Sequence, residues 1–399
     1  MKVKLISSMW VMKVKRKSRR KRVKKSLIVV LLCVLSAIGG FYIQRKKNFV
    51  NEYVKVVYKI VNTEVVNKAS IVMVGDALIH MGINYAYKTS SGYDFRGLFK
   101  YIKPIVQEYD LAYYNQETIL GGSSLGLSGY PQFNSPQQVG DAFLDAGFNL
   151  VSLATNHTMD NYYRTGGKTI ANSVKYWKDH SDKALAAGSY ISQEDRDEVI
   201  VKEINGIKYG FLSYTEQTNG ISVPSGKSYL ANVYSNEKAK KDVEAYKEKV
   251  DVIIVAMHWG SEYTHTPTSS EKEKAKYLAS LGVNLIIGCH PHVIQPMTYI
   301  GDTFVVYSLG NFVSSQIGDD RLSGLMAGAN IVKRTYHGKT TVTIEDPTAE
   351  FIYTRKNEKF IVYPYSKLNT SIFPSYKTYY NNYKKIVTSM SDKVKVKEL

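Results

Sequence analysis

From Ala69 onward the chain alternates short apolar runs rich in β-branched residues with longer amphipathic stretches. The apolar runs are Ser70–Val74, Leu111–Tyr114, Leu150–Ala154, Lys208–Tyr214, Val252–Met257, Asn284–Ile287 and Thr303–Tyr307. Each is strand-sized and ends in a polar cluster, the pattern of a buried strand. Between them, Pro136–Ala146, Lys168–Asp179, Glu237–Lys249 and Ser270–Leu281 place apolar residues at helical spacing. Such alternation predicts an α/β domain whose sheet is mainly buried. Farther on, Ala329–Arg334 and Thr340–Ile344 flank His337-Gly338 and predict a β-hairpin. The pattern gives one domain over 69–350, followed by a Tyr- and Lys-rich extension, 351–399, that caps it before fraying.

The pattern before Ala69 differs in kind. Residues 26–43 carry no charge, and as a helix they span about 27 Å, near the thickness of a bilayer's hydrocarbon core. Residues 1–25 hold twelve Lys or Arg and no acid. The basic flank predicts a cytoplasmic N-terminus (1–25), a transmembrane anchor (26–43), a polar stalk (44–68) and an extracellular remainder. A cleaved signal peptide is the rival reading, since a basic region before an apolar stretch fits both.

Charge then loses its usual meaning. Of the formal +18, the first 25 residues supply twelve, leaving +6 for the rest. Arg45, Lys46 and Lys47 account for half of that, so the folded part is nearly neutral and nucleic acid is not an expected partner. Cys33 lies in the span and Cys289 in the domain, so no intrachain disulfide is expected.

Sites in α/β folds gather at the carboxyl ends of strands. Five such ends carry chemistry: Gly75-Asp76 with His80, Asn115-Gln116-Glu117, Asn156-His157 with Asp160, His258-Trp259-Gly260 with Glu262-Tyr263, and His290-Pro291-His292. Taken alone, each has a structural reading, as a cap, a turn or a surface histidine. Together they hold five of the chain's eight histidines beside carboxylates, a donor set suited to zinc, manganese or iron.

The order of these blocks resembles the calcineurin-like metallophosphoesterase superfamily. Their wording resembles one branch of it, the bacterial CapA/PgsA family of capsule and poly-γ-glutamate synthesis proteins. Gly75-Asp76, Asn115-x-Glu117, Asn156-His157, His258-Trp259-Gly260, Gly288-x-His290-Pro291-His292 with Gln295-Pro296, and Tyr307-Ser308-Leu309-Gly310-Asn311-Phe312 carry the likeness over roughly 69–315. The resemblance implies a four-layer αββα sandwich binding two divalent cations, Mn, Zn or Fe. It implies Asp76, Glu117, Asn156, His258, His290 and His292 as ligands, and His157 with Asp160 as the catalytic pair. Asn115, Glu262, Tyr263, Gln295 and Asn311, from the same blocks, are expected to bind substrate. The superfamily's first block has a histidine two residues after its aspartate. Leu78 stands there instead, and His80 is a candidate stand-in ligand. Glu117, one methylene longer, replaces a bridging aspartate.

The anchor and the resemblance together imply a membrane-anchored extracellular protein for synthesis or export of an anionic surface polymer, working beside membrane-embedded synthase subunits. An extracellular metal-dependent phosphoesterase unrelated to capsule, and a non-catalytic polymer-binding scaffold, are the alternatives.

Overall fold

The computed structural model describes residues 63–399. The basic segment 1–25, the span 26–43 and the stalk up to residue 62 lie outside the described residues. Among the described residues, no helix is long and apolar enough to cross a membrane. The main unit comprises residues 67–333 and 342–399. A second part contributes 63–66 and 334–341, the latter a hairpin turn with His337 and Gly338 at φ 48° and 70°.

Two sheets form the main unit. The first has the order β16 (Phe360–Pro364), β15 (Lys339–Lys356), β14 (Ser323–Tyr336), β1 (Val65–Ala77), β4 (Leu111–Asn115), β5 (Leu150–Ser152), β6 (Leu185–Ala187). Beside β1 runs β13 (Asn311–Val313), and beside β15 runs β17 (Lys395–Val396). In the second sheet the order is β11 (Met297–Ile300), β12 (Thr303–Val306), β10 (Leu285–Cys289), β9 (Val252–His258), β8 (Ile207–Thr215), β7 (Lys202–Ile204). A two-strand hairpin, β2 (Lys88–Thr89) with β3 (Gly92–Tyr93), stands apart from both. The strands that carry the site pair in parallel: β1 with β4 and β13, β4 with β5, β8 with β9, and β9 with β10.

Strand alternation builds the layers. Ile71, Met73, Leu111, Tyr113 and Leu150 of the first sheet share one core with Phe211, Ile254, Ala256, Leu285 and Ile287 of the second. Their sequence neighbours point outward to helices. Val72, Val74, Ala112 and Tyr114 pack on Val139 and Phe143 of helix Gln138–Ala146 and on Tyr176 and Trp177 of helix Lys168–Asp179. On the far side, Leu212, Ile253, Val255 and Ile286 pack on Ala239 and Val243 of helix Asn236–Lys247 and on Ala275 and Leu278 of helix Ser269–Leu281. The result is helix, sheet, sheet, helix. The last of these helices starts with a capping box, Thr268 with Glu271, and stops at Gly282, whose φ of 94° suits glycine.

Two expected boundaries shift. Strand β1 begins at Val65, inside the expected stalk, although Val65, Val66 and Lys68 are exposed and burial starts only at Ala69. The expected hairpin grows into β14 and β15, and β15 runs through residue 350. The segment 351–399 is therefore part of the fold. It adds β16 and β17, and helix Tyr376–Thr388 sinks Tyr380, Tyr383 and Val387 into the inter-sheet core.

Candidate metal centre

Parallel pairing brings the carboxyl ends of β1, β4, β5, β9 and β10 together. At the end of β1 the register shifts around Asp76, and the Asp76 N–H donates to Gly310 O at 3.0 Å. Only glycine fits before it, since a Cβ on Gly75 would lie 1.7 Å from that same oxygen.

The donors converge in two groups. Asp76, Glu117 and His292 each bring one ligand atom to within 4.8 Å of the others. Glu117 Oε1 lies 3.6 Å from His292 Nε2, and Asp76 Oδ2 lies 3.4 Å from His292 Nδ1. In the second group, His258 Nε2 is 2.9 Å from Asn156 Oδ1 and 3.1 Å from His290 Nδ1. Glu117 stands between the groups, with Oε1 also 3.9 Å from His258 Nε2. A third grouping, Glu262 with His290 and His292, reaches toward solvent.

Electrostatics favour a cation here. Both carboxylate oxygens of Glu117 are buried and have no hydrogen-bond partner. Burial pushes this carboxyl well above the usual range; His292 opposes the shift and Asp76 and Glu262 add to it. Burial, then the neighbouring histidines, hold His258 well below its ordinary value, and burial with His292 brings His290 down to about 4. His292 goes the other way: burial opposes, but Glu117 and Asp76 outweigh it and raise it to about 9. His258 and His290 are thus held as neutral imidazoles, the form that binds a divalent cation, whereas His292 and Glu117 give up protons as one enters, and the ion satisfies the orphaned Glu117 oxygens. Oxygen and nitrogen donors in this number fit such an ion.

His157 Nδ1 lies 2.7 Å from Asp160 Oδ2, which also accepts the Phe133 N–H at 2.6 Å. This pairing assigns the Nδ1–H tautomer and leaves Nε2 to exchange protons. The Phe133 ring stands edge-on to His157 at 4.8 Å and to His80 at 5.4 Å.

His80 stands outside the two groups: its Nδ1 is 3.0 Å from Leu78 O, and Phe133 flanks its ring. Asn115, Gln295 and Asn311 are buried, and each makes hydrogen bonds to other protein groups, although Asn115 Oδ1 and Gln295 Oε1 have no partner. Asn115 Nδ2 donates to Asp76 Oδ1 at 2.7 Å and lies 3.2 Å from His258 Nδ1. Asn311 Oδ1 sits 2.9 Å from His292 Nδ1, and Gln295 Nε2 donates to Thr264 O at 2.9 Å. Glu262 and Tyr263 are exposed at the rim, where a substrate can reach them.

Sequence reading missed a sixth strand end. After β8, Glu216 Oε2 accepts the Gly260 N–H at 2.8 Å, and Asn219 Nδ2 approaches His157 Nδ1 at 3.4 Å. The signal was present, because Glu216-Gln217-Thr218-Asn219 follows the run Lys208–Tyr214 as the other clusters follow theirs. It contains no histidine.

Comparison with known proteins finds sequence relatives. The model of the family "Bacterial capsule synthesis protein PGA_cap" matches residues 70–316. The "PGA biosynthesis protein CapA" of Bacillus subtilis (strain 168) is 25% identical over 252 residues, covering 61% of this chain and 62% of that protein. The chain thus spans less than two thirds of that relative. The "Capsule biosynthesis protein CapA" of Bacillus anthracis is 26% identical over 311 residues, covering 75% of this chain and 71% of that protein. Among solved structures, the calcineurin-like phosphoesterase YfkN from Bacillus subtilis is 14% identical, with 81% of this chain and 99% of that one covered and a TM-score of 0.46.

Proposed function

The chain belongs to the bacterial capsule synthesis protein family PGA_cap, and on that premise we propose that it serves the synthesis or export of an anionic surface polymer. The observation that carries this reading is where the family match falls: residues 70–316 include every donor of the two convergent groups. In this reading the protein is anchored by residues 26–43, its folded part faces the outside of the cell, and it works beside membrane-embedded synthase subunits. The polymer is poly-γ-glutamate or a capsular polysaccharide.

We assign one divalent cation to Asp76, Glu117 and His292 and a second to Asn156, His258 and His290, with Glu117 between them. Such ions, Mn, Zn or Fe, supply Lewis acidity toward a phosphoryl or carbonyl oxygen. The chain's own residues do the rest. Asn115 and Asn311 orient Asp76 and His292. His157, its tautomer set by Asp160, holds a proton at Nε2 for a leaving group.

Deletion of the gene and its complementation test the polymer role. Surface polymer should vanish on deletion, return with the wild-type chain and stay absent with His290→Ala. Unchanged polymer in the deletion strain sinks the reading. A phosphoesterase unrelated to capsule is the second reading, favoured by the intact His157–Asp160 pair. It requires the purified full-length chain with manganese, zinc or iron to hydrolyse a model phosphoester. A His157→Ala chain that restores polymer would instead indicate a scaffold that binds without turnover.

A further inference from the structure

Tyr263, at the rim of the centre, has a φ of 64°, a conformation that L-residues other than Asn and Asp rarely hold without support. Its support is specific. The Tyr263 N–H donates to Pro291 O at 2.8 Å, and the ring lies near-parallel to His292, with centroids 6.0 Å apart and planes 30° apart. The Arg321 guanidinium also sits 4.6 Å from the centre of the same ring. Tyr263 thus touches both a candidate ligand and a cation.

The cation's position is built. Asn311, whose Oδ1 lies against His292, uses Nδ2 to donate to Arg321 O at 2.8 Å and to Gln316 Oε1 at 3.0 Å. Gln316 in turn donates to Tyr263 Oη at 3.4 Å. One buried amide therefore ties the backbone of Arg321 to the imidazole at the centre. The acids next to Arg321 face elsewhere: Asp320 is bonded to Tyr383 Oη at 2.9 Å and lies 3.5 Å from His265, and Asp319 takes a bond from Tyr353 Oη. Among the described residues, no carboxylate pairs with the Arg321 guanidinium.

From these contacts we propose that Arg321, held over the Tyr263 ring, is an oxyanion-recognition subsite that docks one carboxylate or phosphate group of the substrate chain beside the metal centre. The ring contact and the bond from Asn311 to the Arg321 carbonyl position the guanidinium, whose N–H fork matches two oxygens of one anion. The subsite deepens the polymer reading above and rests on it for the nature of its ligand.

The test measures binding to the full-length, manganese-loaded protein by calorimetry. The probes are a γ-linked glutamate oligomer, a glutamine oligomer of equal length, and glycerol phosphate. Arg321→Gln should weaken the bound oxyanion about tenfold, the loss of one charge-assisted pair. Arg321→Lys should recover only part of it, because an ammonium cannot fork. Tyr263→Leu, which keeps the cation and removes its platform, should weaken binding severalfold. The glutamine oligomer should not distinguish wild type from Arg321→Gln. Preference for the glutamate oligomer assigns a carboxylate source, and preference for glycerol phosphate assigns a phosphate source. Equal oxyanion affinity in wild type and Arg321→Gln, or no oxyanion binding by wild type, overturns the proposal. Either failure leaves the polymer role standing, since that role is read from surface polymer in cells and not from affinity in solution.

Discussion

An alanine at Gly75 would place its Cβ 1.7 Å from the carbonyl oxygen of Gly310, 2.9 Å from the carbon of that carbonyl and 3.1 Å from Leu309 Cβ. Non-bonded heavy atoms settle at about 3.5 Å, so the two segments would have to part by about 1.5 Å or more. The oxygen concerned also accepts the Asp76 N–H, and Asp76 stands in register with Asn311. Separation would therefore displace the two side chains that flank His292. Overpacking of this kind costs about 1–3 kcal/mol. The strained or lost hydrogen bond adds about 1 kcal/mol. Gly82 is the matched control: it lies in helix Met81–Ala86, and a Cβ there meets nothing nearer than Phe360 Cζ at 3.8 Å. Gly82→Ala should stabilise the protein by about 0.5–1 kcal/mol. The assay is the urea midpoint of each variant, with manganese or zinc content measured on the same preparations. Gly75→Ala should lower the midpoint and weaken metal retention about 10–100-fold, the usual effect of disturbing groups that orient ligands. A Gly75→Ala protein with the wild-type midpoint and wild-type metal content would refute the claim that this close approach sets Asp76.

Glu117 gives a linked pH prediction: burial raises its folded-state value, so metal-free stability should fall as pH rises above the ordinary carboxylate range. Glu117→Gln should flatten that fall in thermal melts. It should also abolish the metal-dependent gain, which for wild type at a hundred times Kd is about 2.7 kcal/mol, roughly 5 °C for a protein of this size. Asp160→Asn should leave metal content unchanged, since Asp160 pairs with His157 and lies in neither donor group, yet lower any hydrolytic kcat by about a hundredfold or more. An equal drop in metal content would show Asp160 acting through the ligands instead. Arg196 pairs with buried Asp242, which also accepts from Tyr214 Oη at 2.7 Å. Arg196→Ala should cost about 3–5 kcal/mol in urea titration by leaving that carboxylate unpaired, with metal content intact.

The strand ends were legible because a parallel sheet writes itself as apolar runs, and a site at the strand ends writes itself as polar clusters after them. Four helices and seven strand runs fall within a few residues of the structure for that reason. Length decided what was lost. The strands β6 and β17, of three and two residues, carry too little pattern for any period to register. For β14 and β15 the expected strands cover only the part nearest the turn, and the buried positions continue beyond them. At the site, the resemblance names Asn115, Gln295 and Asn311, but their burial and their protein partners are visible only in the fold. For His80, likewise, spacing along a chain does not say which way an imidazole turns once its Nδ1 finds a carbonyl.

One local feature makes the His290-Pro291-His292 segment serve both donor groups. In an extended chain, residues two apart face the same side. Here both histidines have positive φ, 98° for His290 and 59° for His292, and their rings lie 5.9 Å apart. His290 turns to His258 in the Asn156 group, while His292 turns to Glu117 and Asp76 in the other. The value at His290 lies outside the small left-handed well, so the turn carries strain of about 1–3 kcal/mol. Its N–H donates to Asp76 Oδ2 at 3.2 Å, and Trp259 N–H donates to the carbonyl of Cys289 just before it at 3.1 Å. Those bonds hold the strained turn from both sheets at once. Two histidines separated by one proline thus reach two donor groups because the backbone reverses between them, and the strain sits where Asp76 of the first sheet grips the end of β10 in the second.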